Sequence, residues 1–193
     1  VYENKIQSGK TYAIIIGLSK YKNVVNLQYA DRDAIAFRNY LVNNLNTPQD
    51  SSNIELFLNE DAGRYRISDA ISNVLQKSKS GDRVYFYFAG HGDIEDLSQT
   101  ENGLLLLYDS PNGNYFAMMH DVIQVSELSD YFGKLSGKGV DVIYIIDACH
   151  SGKLKGGVPG SMHTSNAISK TLAENSTVIL SCQANQFSLE SEE

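Results

Sequence analysis

Short apolar runs rich in β-branched residues alternate with amphipathic segments along this chain, and that alternation restricts the folds open to it. Residues 12–17 read Tyr-Ala-Ile-Ile-Ile-Gly, which predicts a strand buried on both faces of a sheet. Similar runs predict strands over residues 53–58, 84–89, 103–108, 140–146 and 177–181. The run at 103–108 is also compatible with one arm of a hairpin.

Helical stripes separate most of these strands. Apolar side chains recur three or four positions apart at positions 27, 30, 34, 37 and 41, at 67, 71, 74 and 75, and at 128, 131, 132 and 135. We expect the first helix to end before Pro48, the second to end at the turn signal Ser80-Gly81, and a short further helix over residues 168–173. Strands that alternate with helices imply right-handed crossovers and a mostly parallel sheet covered on both faces. The predicted fold is therefore a three-layer α/β sandwich.

Composition narrows the class of protein. A chain of 193 residues with 42% hydrophobic residues is expected to form a single domain, residues 1–193. The net charge is -7 and no block of Lys and Arg occurs, which argues against a nucleic-acid or anionic membrane surface. No apolar run approaches the roughly 20 residues that span a bilayer. Two cysteines are too few for a disulfide framework, so a reducing, cytoplasmic location is the default expectation, with secretion of a processed form left open.

The final predicted strand, residues 177–181, needs a neighbouring strand or a cover that the remaining residues do not obviously supply. We therefore expect the sequence to be part of a longer protein. A C-terminal segment would then be its structural partner.

Reactive side chains follow two of the predicted strands. The strand at 84–89 runs into Gly90-His91-Gly92, and the strand at 140–146 runs into Asp147-Ala148-Cys149. The carboxyl ends of parallel strands are where ligands bind, and an imidazole beside a thiol can generate the nucleophilic thiolate. The amides of Gly92 and Cys149 could then stabilise an oxyanion. Taken singly, a buried structural thiol and a satisfied loop histidine are the simpler interpretations, but their joint occurrence favours a Cys-His dyad.

The same residues carry a family resemblance. Phe88-Ala89-Gly90-His91-Gly92 and Ile145-Ile146-Asp147-Ala148-Cys149-His150-Ser151-Gly152 resemble the two catalytic motifs of the caspase and metacaspase family, especially its bacterial metacaspase-like members. The opening strand and the segment Leu27-Gln28-Tyr29-Ala30-Asp31-Arg32-Asp33-Ala34 are also similar to that family. The resemblance covers nearly the whole chain in the right order. It implies a caspase-type sheet, with hydrolysis of protein or peptide substrates by Cys149 and His91.

The resemblance also implies a specificity pocket. In metacaspases, the positions that match Asp33 and Asp147 line the primary pocket, and two carboxylates there favour Arg or Lys before the scissile bond. Asp33 could instead be a favourable charge near a helix start, and Asp147 could cap backbone groups at a strand end.

This chain departs from the family at positions linked to calcium. The stretch Ile123-Gln124-Val125-Ser126, where calcium-dependent members have an acidic run, contains no carboxylate. The departure argues against calcium activation, and Asp93, Glu95 and Asp96 are better interpreted as a solvated acidic loop than as a cation site. We expect no metal and no cofactor.

Caspase-like enzymes commonly cut themselves in the loop after the catalytic cysteine, so the resemblance implies self-processing in the loop after Cys149. It contains Lys153 and Lys155 among glycines, and Lys170 follows in a predicted helix, so cleavage is expected after the first two lysines before the third. The rival interpretation is a caspase-like scaffold that binds protein partners without cutting them. A nucleotide-binding α/β domain is disfavoured because the sequence has no glycine-rich phosphate loop.

Overall fold

The computed structural model describes residues 9–44, 48–95, 102–113, 115, 121–149, 171–172 and 176–181. The strands are β1 (Thr11–Gly17), β2 (Ile54–Leu58), β3 (Arg83–Glu95), β4 (Asn102–Leu106), β5 (Val122–Gln124), β6 (Asp141–Cys149) and β7 (Thr177–Leu180). The helices of more than two turns are α1 (Ala30–Asn44), α2 (Arg64–Lys77) and α3 (Val125–Gly137). The order of strands and helices agrees with the predicted one, and the expected helix end before Pro48 is confirmed.

Five strands form a parallel sheet in the order β2-β1-β3-β6-β7. The centre of this sheet is β3, which pairs with β1 on one side and with β6 on the other. A shorter antiparallel extension is formed by β4 and β5, and β4 pairs with the last four residues of β3. The prediction of a mostly parallel α/β sheet is confirmed.

Both faces of the sheet are buried, as the unbroken apolar run of β1 predicts. Tyr12, Ile14 and Ile16 pack into the core on one face, while Ala13 and Ile15 pack on the other. The first core includes side chains of α2 and α3, and the second includes those of α1, which makes three layers. No helix in the described part of the chain is long and apolar enough to cross a membrane.

Two features of the strands differ from the prediction. The sequence suggests that the central strand ends at Ala89, whereas β3 continues to Glu95 and so contains His91 within extended backbone. The short strand β5 was not expected from the sequence, because three residues directly before a helix carry too little periodic pattern. Of the expected helix over residues 168–173, only 171–172 are described, and they are helical.

Candidate active site

The two motifs lie opposite each other at the carboxyl end of the parallel sheet. In the register of β3 with β6, Ala89 pairs with Asp147, Gly90 with Ala148, and His91 with Cys149. Neighbouring strands are about 4.8 Å apart. The backbone of Cys149, the part of that residue that the structure describes, is therefore beside that of His91.

The His91 side chain is buried, with 1% of its surface exposed. Its Nε2 atom lies 2.8 Å from the carbonyl oxygen of Val25. Because a carbonyl oxygen can only accept, Nε2 carries the hydrogen, and Nδ1 of the neutral ring is the proton acceptor. Nδ1 is buried and finds no hydrogen-bond partner among the described residues. A buried polar atom without a partner is costly, so an unpaired Nδ1 is a feature to associate with function.

The backbone at His91 is held by the side chain of Tyr21. The His91 amide donates a hydrogen bond of 2.8 Å to the Tyr21 hydroxyl, and the two rings are 4.9 Å apart at an interplanar angle of 40°. Gly90 leaves room for this contact, since a Cβ there would be 2.6 Å from the Tyr21 hydroxyl oxygen. A side chain at position 90 would therefore collide with Tyr21.

The loop between β1 and α1, residues 18–29, carries both Tyr21 and Val25. The amide of Leu18 donates to the Ala89 carbonyl at 3.0 Å, which continues the pairing of β1 with β3 by one residue. The Tyr21 amide donates to Asn26 Oδ1 at 2.8 Å, and the Lys22 amide donates to the Tyr108 carbonyl at 3.0 Å. These bonds fix the loop against β3 on one side and against the segment after β4 on the other.

The start of the same loop is tied to α1 by a polar network. Ser19 donates through its hydroxyl to Asp31 Oδ1 at 2.8 Å, and Asn59 Nδ2 donates to Asp31 Oδ2 at 3.2 Å. Asn59 Oδ1 accepts from the Ser19 amide at 2.9 Å. Partial burial acts to raise the pKa of Asp31, but the hydrogen bonds from Ser19 and Asn59, with a smaller contribution from Arg32, hold that pKa below its usual range. The ionised Asp31 thus stabilises the loop that contacts His91.

Gly92 follows His91 in β3 and pairs with Leu105 of β4 in the antiparallel part of the sheet. The register therefore brings Gly92 and Cys149, the two proposed oxyanion donors, to the same end of the sheet. Their role in holding an oxyanion stays a prediction.

Asp33 and Asp147 come from different elements and converge on Tyr87. Burial raises the pKa of the Tyr87 hydroxyl, and the negative charges of Asp147 and Asp33 raise it further. Asp147 is half-buried and pairs with Ala89, while Asp33 is exposed on α1, one turn before Phe37. Phe37 stacks on Tyr87 with ring centroids 4.6 Å apart, so this face of α1 is turned toward the central strand. Both carboxylates are therefore close enough to the Tyr87 hydroxyl to act on it electrostatically, and their role in a specificity pocket stays a prediction.

The structure says less about the expected cleavage sites and the acidic segment near Asp93. Lys153, Lys155 and Lys170, the expected cleavage sites, lie outside the described residues. Asp93 accepts a hydrogen bond of 2.6 Å from the Tyr115 hydroxyl through Oδ2. Within the described ranges, no group of three or more His, Cys, Asp or Glu side chains is arranged to hold a metal ion.

Tyr21 and Val25 are the residues at this site that the sequence did not indicate. Val25 acts through its carbonyl oxygen, which every residue type has, so no residue pattern marks it. Tyr21 stands in a loop without periodicity, 70 positions from the residue it contacts. The glycine at position 90 was the available hint, because a required glycine can mark close approach of another group.

Comparison with known proteins places these observations in a family context. A family model described as the caspase domain matches residues 10–193. Metacaspase-1 of Plasmodium falciparum (isolate 3D7) is 27% identical over 150 residues, which cover 72% of this chain and 24% of that protein. The chain thus spans about a quarter of the length of this curated relative. A crystal structure of a protein from Geobacter sulfurreducens has the same fold, with a TM-score of 0.58 and 21% identity, over 81% of this chain and 55% of that one.

Proposed function

Because this chain belongs to the caspase domain family, we propose that it is a cysteine endopeptidase with Cys149 as nucleophile and His91 as its acid/base partner. The observation that supports this assignment most directly is the pairing of His91 with Cys149 in adjacent strands. Nδ1 of His91, which is buried and has no hydrogen-bond partner among the described residues, adds a proton acceptor at the same place.

The proposed reaction begins with transfer of the Cys149 thiol proton to Nδ1 of His91. The thiolate then attacks the substrate carbonyl carbon, and the imidazolium donates its Nδ1 proton to the leaving amine as the peptide bond breaks. Water next attacks the resulting thioester, gives a proton to the imidazole, and releases the acid product and the thiol. Throughout, the hydrogen stays on Nε2, which donates it in a hydrogen bond to the Val25 carbonyl oxygen, and this bond stabilises the positively charged ring.

We further propose that the amides of Gly92 and Cys149 hold the oxyanion of the tetrahedral intermediate. Backbone donors suit this role because they are fixed by the sheet and need no reorganisation as charge develops. The position of both residues at one end of β3 and β6 supports the proposal.

A preference for Arg or Lys before the scissile bond follows from the acidic surface. Asp33 and Asp147 both act electrostatically on the Tyr87 hydroxyl, which supports a common site for their charges. A guanidinium or ammonium group bound there would form charge-assisted hydrogen bonds with carboxylate oxygens. A substrate with an acidic side chain would be repelled.

Self-processing is the corresponding proposal for the segment after Cys149. An active site that favours basic residues is expected to cut after Lys153 or Lys155 before Lys170, because glycines surround the first two. Intact-mass analysis of incubated wild type beside Cys149→Ala tests it. Uncut wild type, under conditions in which a peptide substrate is turned over, would remove this proposal.

We also propose a further chain segment as partner for β7. Ile179 of β7 is 52% exposed, and in the described part of the sheet β7 pairs with β6 alone. An exposed apolar edge strand presents backbone groups that can pair with another strand, and this supports the proposal.

The decisive experiment is a fluorogenic peptide panel with Arg, Lys, Asp or Ala before the scissile bond. Wild type should cleave the Arg and Lys peptides, and Cys149→Ala and His91→Ala should each lose several orders of magnitude in kcat, because nucleophile and base act as a unit. Cys182→Ala, which changes the other cysteine, serves as the matched control. If no peptide is cut, or if Cys149→Ala retains the activity, the chain is better described as a scaffold.

A further inference from the structure

We propose that Tyr21 is a positioning residue that holds His91 in the orientation required for proton transfer. The inference rests on the proposed peptidase function, because it concerns the same histidine. Tyr21 lies in the loop of residues 18–29 and reaches β3 from the side on which β1 ends.

Tyr21 accepts a hydrogen bond from β3 at a residue with which β1 no longer pairs. β1 ends at Gly17, opposite Ala89, so β3 continues past its neighbour. The Ala89 carbonyl still receives the Leu18 amide, but two residues later the His91 amide faces the same side of β3 past the end of β1, one residue before the pairing with β4 begins at Gly92. The Tyr21 hydroxyl accepts that amide hydrogen at 2.8 Å. It therefore acts where β1 no longer pairs with β3, at the residue whose orientation matters.

The same tyrosine also restricts the imidazole. Its ring lies 4.9 Å from the His91 ring, while the Val25 carbonyl binds Nε2 from four residues further along the loop. The hydrogen bond from the Tyr21 amide to Asn26 Oδ1 keeps these two contacts in one rigid unit. This loop holds the backbone, one ring face and Nε2, and Nδ1 has no hydrogen-bond partner in the part of the chain that the structure describes, so Nδ1 is the ring atom available to exchange a proton.

The space for Tyr21 exists because residue 90 is glycine. A Cβ at Gly90 would be 2.6 Å from the Tyr21 hydroxyl oxygen and 3.0 Å from the Phe88 ring. Gly90→Ala should therefore displace Tyr21 and reproduce the effect of its removal. If the two residues act together, the double variant with Tyr21→Phe should lose less than the sum of the two single losses.

Tyr21→Phe is the informative substitution, because it removes the hydroxyl and keeps the ring. We expect kcat to fall on the order of 10- to 100-fold, as for a displaced catalytic group, while KM stays within about twofold. Tyr65→Phe is the matched control, since Tyr65 is 84% exposed on α2. A tyrosine with a merely structural role would lower the thermal stability of the protein without changing kcat in the folded enzyme.

Two measurements remain informative even if no peptide substrate is cleaved. Nitrogen NMR of the histidine ring should show one His91 tautomer, with hydrogen on Nε2, in wild type and in Tyr65→Phe, and a mixture or broadening in Tyr21→Phe. Alkylation of Cys149 by iodoacetamide, located by peptide mass, should be slower in Tyr21→Phe than in wild type and should be unchanged in Tyr65→Phe. An unchanged His91 ring spectrum and alkylation rate in folded Tyr21→Phe would overturn the proposal. If that variant does not fold, rapid hydrogen exchange of the His91 amide in wild type would overturn it instead.

Discussion

Gly17→Ala places a methyl group where strand β1 contacts helix α1. A Cβ on Gly17 would lie 2.4 Å from the Cβ of Ala34, 2.7 Å from the Ala30 carbonyl oxygen and 3.0 Å from the Cα of Asp31. Non-bonded carbon atoms prefer separations of about 3.5 to 4.0 Å, so the helix must move by roughly 1 Å. None of these three atoms belongs to a flexible side chain that could rotate away.

The expected magnitude follows from this geometry. Overpacking of a core typically costs about 1 to 3 kcal/mol, and a contact made by the helix backbone belongs at the upper end of that range. Replacing glycine also restricts the unfolded chain, which returns about 0.4 to 1 kcal/mol. We therefore expect the free energy of unfolding to fall by about 2 kcal/mol, or Tm to fall by about 4 to 8 °C for a chain of this size.

Urea unfolding followed by circular dichroism measures this difference. Gly133→Ala in α3 is the matched control, because a Cβ at Gly133 would meet nothing within 4 Å. Alanine is the better helix former, so this control should leave the protein as stable as wild type or more stable by up to about 1 kcal/mol. The steric reasoning would be refuted if Gly17→Ala unfolded at the wild-type midpoint, or if both variants lost the same free energy.

Three further substitutions test other parts of the structure. Asp147→Asn should raise the activation free energy for cleavage of Arg and Lys peptides by about 2 kcal/mol or more, while cleavage of uncharged peptides stays unchanged. Steady-state kinetics measures both, with Asp69→Asn, an exposed carboxylate on α2, as the control. An equal loss for both peptide classes would contradict the pocket assignment. The pKa of Asp31 is lower in the folded protein than in the unfolded chain, so its stabilisation is complete above about pH 4 and disappears as pH falls through the folded pKa. Wild type should therefore lose stability in acid more steeply than Asp31→Asn in urea titrations from pH 6 to 3, and parallel curves would contradict this. Phe132→Ala should cost about 3 to 5 kcal/mol in a thermal or urea melt, because the ring is 1% exposed and packs between Phe86 and Tyr144. Tyr131→Ala, at the exposed neighbouring position, should cost clearly less.

Local pattern was sufficient for most of the fold. The apolar run of β1 has no polar alternation, and this predicted a strand covered on both faces. The stripe that includes Leu128, Phe132 and Leu135 predicted the buried face of α3. The extension of β3 through His91 was missed because glycines on both sides of the histidine suggest a turn. Pairing with β6 as far as His91, and with β4 from Gly92, keeps this backbone extended instead.

The sequence by itself determined which chemical groups this protein has at its strand ends. A thiol and an imidazole each follow an apolar strand, and both facts are local. Tertiary structure decided that β6 is the neighbour of β3 and that its register places Cys149 opposite His91. Strand order and register depend on packing between segments far apart in the chain, which no local period encodes. Tertiary structure also decided the contacts of Tyr21 and Val25 with His91. Tyr21 lies 70 positions away in the chain, and Val25 binds through a main-chain carbonyl that every residue type has.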